Sequence, residues 1–380
     1  MSSAASSTDT KTSSIEVRVL QEPERSVWNE FVGSVPEGDV LQSWEWRGVK
    51  SGDWTGLCIT VFRNGVIVAG ASILRRKLPL VGCFYYAPRG PLMRDWSDID
   101  ALHTLLASIH QHAKADRAAF LKIDPAVTIE HPEITEALGQ CGFTPPASTD
   151  AQGFGGTQPR CVMQLDLAGR KKLDILASFK SQTRRNIKLS TDKHGVEVLS
   201  NLSREDLLIF GDLMQITGAR DGFRPRSLAY FQNLWDNLYP SGVCRLFLTR
   251  YGDQYLSGAL CFRINDKFTY VYGASSNEHR NVMPNFAMQW AMIQWALDQG
   301  GAWYDFRGVS PRRKQEGEDT SEVEKEDHLQ GLNRFKEGFS PRYVEYIGEM
   351  DLIYNRTAYW LYTVGRPIAQ NIMRRARNKH

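Results

Sequence analysis

Two aspartates hold equivalent places at the ends of predicted strands, in a layout that the chain uses twice. Asp124 follows the strand Ala119–Ile123, and Asp305 lies at the end of Ala302–Phe306. A carboxylate at a strand end facing a cleft can hold and orient an amine and take its proton. For Asp124 the alternative is a turn carboxylate capping Pro125–Val127. For Asp305 the reading is structural pairing with Arg307, two residues on. A cationic feature accompanies them. Lys180, Arg184 and Lys188 recur every four residues on a predicted helix over Leu173–Lys193, with Arg185 adjacent, and so share one face. Such a stripe could track the phosphates of a nucleic acid, and a solvated helix face is the alternative. The six cysteines are scattered with no CxxC pair, and no Cys/His cluster has ligand spacing, so no metal and no dissociable redox cofactor is expected.

The elements that must position these groups come in two copies. The first has a hairpin around Asn64-Gly65, an aromatic strand Phe84–Ala87, a helix Ile99–Ala115 and the strand that ends at Asp124. The second has a hairpin around Gly252-Asp253, an aromatic strand Tyr270–Gly273, a helix Asn285–Gln299 stopped by Gly300-Gly301, and the strand ending beside Asp305. The alignment sets Gly70-Ala71 against Gly258-Ala259. One fold used twice places the functional cleft between the copies. Alternating strands and helices imply α/β or α+β layering, and a hairpin followed by strand–helix–strand is the middle of the acetyltransferase-like fold. Helices are expected at Leu41–Val49, Glu205–Arg220 and Arg226–Tyr239, a charge-mixed loop at Pro311–His328, a short helix at Leu329–Phe339 and a strand at Tyr343–Met350.

Composition sets the outer limits. The 380 residues are 42% apolar and 23% charged, enough for large cores, and the net charge of +3 implies no global field for nucleic acid. Cysteines in or beside predicted strands suit reduced thiols and a cytoplasmic protein. Residues 1–14 read as a disordered tail without the apolar stretch of a signal peptide. No apolar run is long enough to span a bilayer.

The segments SQTRRNIKLSTDKHGVEV, YGASSNEHRNVMPNFAMQWAMIQWA, WYDFRGV and GLNRFKEGFSPRYVEYIGE resemble the Fem family over roughly Val40–Leu352. Its members are bacterial peptidoglycan-bridge aminoacyltransferases. The resemblance implies two tandem GNAT-like acetyltransferase domains and transfer of an amino acid from aminoacyl-tRNA to the stem-peptide amine of a peptidoglycan precursor, either lipid II or UDP-MurNAc-pentapeptide. It implies that Lys50 meets the precursor's pyrophosphate, that Arg226 and Tyr230 bind the same end, and that Tyr272 lines the site. It places Lys336, beside Phe335, at the acyl-transfer centre with Asp124, and gives Lys180, Arg184, Arg185 and Lys188 to the tRNA. The sequence departs from the family where Phe120 stands for a tyrosine before the aspartate, losing that hydroxyl. The coiled-coil arm of some members is missing, since Glu205–Tyr239 has no extended heptad pattern.

A cation at Lys336 would stabilise the tetrahedral oxygen formed when the amine attacks the tRNA ester, an effect worth roughly 3 kcal/mol. The competing readings are an acyl-CoA-dependent N-acetyltransferase, whose pyrophosphate loop is not cleanly present, and a non-catalytic binding protein. Domain 1 is expected at 15–158, completed by 343–380, and domain 2 at 159–342. The aromatic and basic segment Tyr354–His380 is read as docked on domain 1 over Tyr354–Val364, with its basic end free to touch anionic lipid at the inner membrane face. A monomer or weak dimer is expected.

Overall fold

Two-residue turns set the frame of both sheets. The computed structural model describes residues 14–365 apart from 53, 79–81, 147–155 and 312–322. The first half runs β1 Ile15–Val19, α1 Arg25–Ser34, α2 Trp44–Val49, β2 Trp54–Arg63, β3 Val66–Leu78, β4 Gly82–Ala87, β5 Leu92–Met93, α3 Ile99–Ala115, β6 Ala118–Ile123 and α4 Pro132–Gln140. The second runs β7 Cys161–Asp166, α5 Lys172–Ser178, α6 Ser181–Lys188, β8 Glu197–Leu199, α7 Leu207–Asp221, α8 Leu228–Leu238, β9 Cys244–Tyr251, β10 Gln254–Ile264, β11 Lys267–Ser275, α9 Pro284–Asp298, β12 Trp303–Gly308, α10 Val323–Glu337 and β13 Arg342–Glu345. The chain then forms β14 Met350–Ile353 and α11 Arg356–Trp360. Asn64 and Gly65 take φ of 52° and 80°, the primed turn that matches strand twist, so β2 and β3 register Arg63 against Val66.

The sheets are built alike. One is ordered β1-β2-β3-β4-β6-β14, with β5 on β3, and the other β8-β9-β10-β11-β12-β7-β13. Each has one parallel pair, β4 with β6 and β11 with β12. The aligned glycines do the same work in both copies. A Cβ on Gly70 would stand 2.6 Å from Trp28 Cζ3 of α1, and one on Gly258 2.9 Å from Phe210 Cδ2 of α7. The bare backbone lets a large helical aromatic lie directly on the sheet.

One core spans both halves. Trp28, Phe31 and Trp46 of α1 and α2 are buried in one cluster with Phe210, Phe231 and Trp235 of α7 and α8 and Phe262 of β10. α11 docks on the first sheet as expected, with Ala358 and Tyr359 buried against Phe84 and Phe120. Phe120 is stacked 5.0 Å from Phe84 at an interplanar angle of 9°.

Three expectations need correcting. The chain from 343 does not go wholly to the first half, because Arg342–Glu345 pairs with β7 and only Met350–Ile353 joins β6. The predicted helix Leu173–Lys193 breaks at Phe179, whose ψ of 152° is extended, and continues past Lys188 as a wider π turn over Leu189–Lys193. The helix expected from Leu329 already begins at Val323. The tail (Ser14 excepted) and the basic end beyond residue 365 lie outside the described residues.

Candidate active site between the two halves

α2 ends against α8, and that contact builds a cationic pocket. Asn233 Nδ2 of α8 donates to Val49 O at 2.8 Å, and a Cβ on Gly48 would strike Asn237 Oδ1 at 1.9 Å, so the two helices must approach closely. Lys50 caps α2 and reaches over two rings, its Nζ 5.1 Å from the Trp46 centroid and 5.4 Å from that of Tyr230. Arg226 Cζ lies 5.3 Å from the Tyr230 centroid. Ser227 caps α8 by accepting from Tyr230 N at 3.2 Å, and the hydroxyls of Tyr230 and Tyr272 meet at 3.0 Å. The four residues assigned to precursor binding are therefore neighbours. Burial, reinforced by the Arg226 charge, pushes the Lys50 ammonium down to about 8. Neither cation pairs with a carboxylate among the described residues. Two clustered cations without a counter-ion among the described residues, faced by aromatic rings, make an arrangement that can hold a polyanion.

The second centre arises where strands part. β11 and β12 pair only from Lys267/Trp303 to Thr269/Asp305, and β11 then runs on paired with β10 alone. β12 also shifts register against β7 between Asp305 and Gly308. The freed Gly308 carbonyl accepts from Lys336 Nζ at 2.6 Å, and Lys336 is 3% exposed. Burial pushes its ammonium down to about 7, with the Asp305 charge opposing and the Arg307 charge adding to the effect. Phe335, placed by sequence beside the chemistry, makes ring contacts with Phe286 at 5.0 Å and Phe339 at 5.4 Å. Those contacts lock the last turn of α10 and so fix Lys336.

Asp124 is 2% exposed at the end of β6. It accepts from Tyr86 Oη at 2.8 Å and from Arg89 N at 2.6 Å, not from the turn that follows it. Tyr86 of β4 thus supplies a hydroxyl, while Phe120 serves the core. Burial raises the Asp124 carboxyl to about 6, although the Arg89 charge, its N–H and the Tyr86 hydroxyl all pull downward. Asp124 makes no hydrogen bond or ion pair with Lys336 among the described residues; its neighbour Arg89 reaches toward the second half. That side chain donates to Pro159 O at 2.7 Å and lies 4.8 Å from the Tyr346 centroid, and its charge also reaches Asp305.

Asp305 is more than a local pair for Arg307. Its Oδ1 accepts the Arg307 backbone N–H at 2.5 Å, whereas the Arg307 guanidinium donates to Gln158 Oε1 at 2.6 Å. Gln164 Nε2 lies 3.4 Å from Asp305 Oδ2 and donates to Tyr346 Oη at 2.9 Å. Burial raises the Asp305 carboxyl above its ordinary value against these donors. Burial raises the Tyr230 hydroxyl and lowers the Lys336 ammonium, and the Arg307 charge acts on both groups. Tyr86, Arg89 and Tyr346 escape sequence reasoning, and Arg307 enters it only as a local partner for Asp305. The available signals are Arg89 in PRGP just after the aromatic strand and Arg307 in WYDFRGV.

The basic stripe is only partly as expected. The break at Phe179 makes Lys180 the cap of α6, and Arg184 folds back to donate to Ala177 O at 3.1 Å and to Phe179 O. It therefore finishes α5 and does not face outward with its neighbours. Lys180 is 61% exposed, 4.0 Å from Glu337, and Arg185 and Lys188 are exposed. Lys180 N donates to Gly338 O at 2.9 Å, which sets the stripe beside the end of α10 and hence beside Lys336.

Comparison with known proteins agrees with this architecture. The lipid II:glycine glycyltransferase of Staphylococcus saprophyticus is 31% identical, covering 87% of this chain and 91% of its own. Its counterpart in Staphylococcus aureus is 29% identical over 89% and 93%. The crystal structure of FemX superimposes with a TM-score of 0.79 at 29% identity, covering 91% of this chain and 99% of FemX. A tandem GNAT protein from the clavulanic acid biosynthesis pathway shares the fold at a TM-score of 0.51 and 9% identity, over 89% of this chain and 98% of that one. The FemAB family model matches residues 24–248 and 242–365. The chain is a member of the FemAB family, with the tandem GNAT-like architecture and, among the described residues, no coiled-coil arm.

Proposed function

We propose that the protein is an aminoacyltransferase that moves an amino acid, glycine by likeness to its relatives, from aminoacyl-tRNA to the stem-peptide amine of a peptidoglycan precursor, building the interpeptide bridge. One observation carries the reading. Lys50 and Arg226, which pair with no carboxylate among the described residues, stand over the Tyr230 ring of the Tyr230–Tyr272 pair, and β11, which carries Tyr272, parts from β12 where the buried Lys336 ammonium donates to Gly308 O. The polyanion seat suits a sugar diphosphate, whether UDP-linked or lipid-linked, and the relatives' names favour lipid II. The exposed cations Lys180, Arg185 and Lys188 beside Lys336 suit the phosphates of a tRNA acceptor end.

In this reading the precursor amine attacks the ester carbonyl. The new C–N bond forms, the C–O bond to ribose breaks, and the amine's proton ends on the ribose oxygen. Lys336 stabilises the tetrahedral oxygen, and Asp124, at about 6, is ionised at neutral pH and able to hold the proton in transit. No cofactor besides the charged tRNA is required. The test is incubation with a mixture of charged tRNAs and either lipid II or UDP-MurNAc-pentapeptide, reading the mass gained by the precursor. Acetyl transfer from acetyl-CoA with no gain from any charged tRNA would overturn the proposal.

A further inference from the structure

The face of the first half formed by the end of α3 and by α11 carries apolar and cationic groups that the proposed chemistry does not use. A groove of about 580 Å³ runs between them, lined among others by His110, Lys114, Arg117, Tyr354, Thr357 and Leu361 and by no acidic residue. Lys114 and Arg117 are exposed and pair with no carboxylate among the described residues, as is Arg356 at the start of α11. Asp116, between the two cations, is held on its other side by Arg75 Nη1 at 2.8 Å and Tyr85 Oη at 2.5 Å. The Tyr354 hydroxyl, at the groove, has no hydrogen-bond partner among the described residues.

Beside these cations Trp360 and Leu361 are 55% and 42% exposed, while their helical neighbours Ala358 and Tyr359 are buried beneath them. Packing therefore explains one side of α11 and leaves an indole and a leucine standing out of the opposite side. An exposed tryptophan flanked by free arginine and lysine matches the boundary of a bilayer, where the ring sits at headgroup depth and the cations meet phosphate. In sequence, residues 366–380 carry four arginines and one lysine with no acidic residue. No helix among the described residues is long and apolar enough to cross a membrane, so contact would be lateral.

We propose that this face is a docking surface for an anionic phospholipid bilayer, with Lys114, Arg117 and Arg356 on headgroup phosphates and Trp360 and Leu361 entering the interface. The binding is independent of acyl transfer. It is measured on the full chain by sedimentation with phosphatidylglycerol/phosphatidylcholine vesicles and with phosphatidylcholine alone. Partition is expected with the anionic vesicles only, and K114Q/R117Q should weaken it about thirtyfold, two surface cations' worth. W360F should keep most of the partition yet lose most of the fluorescence quenching by brominated lipid. Equal binding to both vesicle types, or no binding, overturns the proposal. So does unchanged partition in K114Q/R117Q, or quenching undiminished in W360F, which would put another face on the lipid. Transfer to soluble UDP-MurNAc-pentapeptide should be the same in all variants. Its general absence would count against the transferase reading while leaving the vesicle result standing.

Discussion

Lys336 and Asp124 are both drawn toward neutrality for the same physical reason acting on opposite charges. Burial disfavours the ionised form of each, lowering the ammonium to about 7 and raising the carboxyl to about 6. If both must be charged for transfer, kcat/KM should be bell-shaped, with an acid limb near 6 and an alkaline limb near 7. D124N should lower kcat by roughly a hundredfold or more and abolish the acid limb, whereas K336R, whose cation does not titrate, should abolish the alkaline limb. Limbs that survive unchanged in these variants would assign them to other groups. Lys336 should also cost stability. Its folded pKa lies below that of an unfolded lysine, so the folded state resists the proton. The penalty is complete below about 7 and fades as pH rises toward the ordinary lysine range. K336M should therefore raise Tm, most at pH 6 and least near pH 10, while lowering kcat about a hundredfold. A variant less stable than the parent at pH 6 would contradict the burial argument.

At the scale of elements, the broken helix decides which cations can meet RNA. Arg184 is spent on the carbonyls that end α5, while Lys180, Arg185 and Lys188 stay outward. K180E/R185E/K188E should raise the KM for aminoacyl-tRNA about tenfold or more and flatten its log–log salt dependence by about 2 to 3, with precursor affinity spared. R184A should lower Tm instead and leave that salt slope nearly intact. Equal effects on both substrates would detach the stripe from the tRNA. The same region shows where sequence stops being informative. Apolar spacing is continuous through Phe179, so the periodicity gives no sign of a break that follows from tertiary demand, the fully buried Phe179 ring packing 5.1 Å from Phe339. The twofold layout was legible because Asn64-Gly65, Gly70 and Gly258 leave local marks of turns and close approaches. Lys50, Arg226, Tyr230 and Tyr272 were singled out through the family resemblance alone, and the fold makes them neighbours. Arg89 was not, and Arg307 only as a partner for Asp305, since the significance of both depends on left-handed backbone and on partners in the distant segment before β7, Pro159 and Gln158.

For the whole molecule, two like-folded halves do not imply two independent ones. Helices α1 and α2 of the first half complete the core of α7, α8 and β10 in the second. The tail returns to the first half through β14, fastened by Lys122 Nζ to Glu349 at 2.7 Å and to Asp351 at 3.1 Å, where little solvent reaches. Arg89 and Tyr346 bridge the halves again at the site itself. With apolar burial shared this way, exposing one half strips the other of part of its core, at about 25 cal/mol for each Å² uncovered. Unfolding should therefore be one cooperative event, with calorimetric and van't Hoff enthalpies in agreement. A precursor analogue bound at Lys50 and Arg226 touches only the seam, yet it should move that single transition upward as a whole, by an amount set by its concentration relative to Kd. Two resolved transitions, only one of them shifting with ligand, would mean that the halves fold separately. The polyanion seat, made by α2 from one half and α8 and β11 from the other, would then have to assemble by docking after folding and not with it.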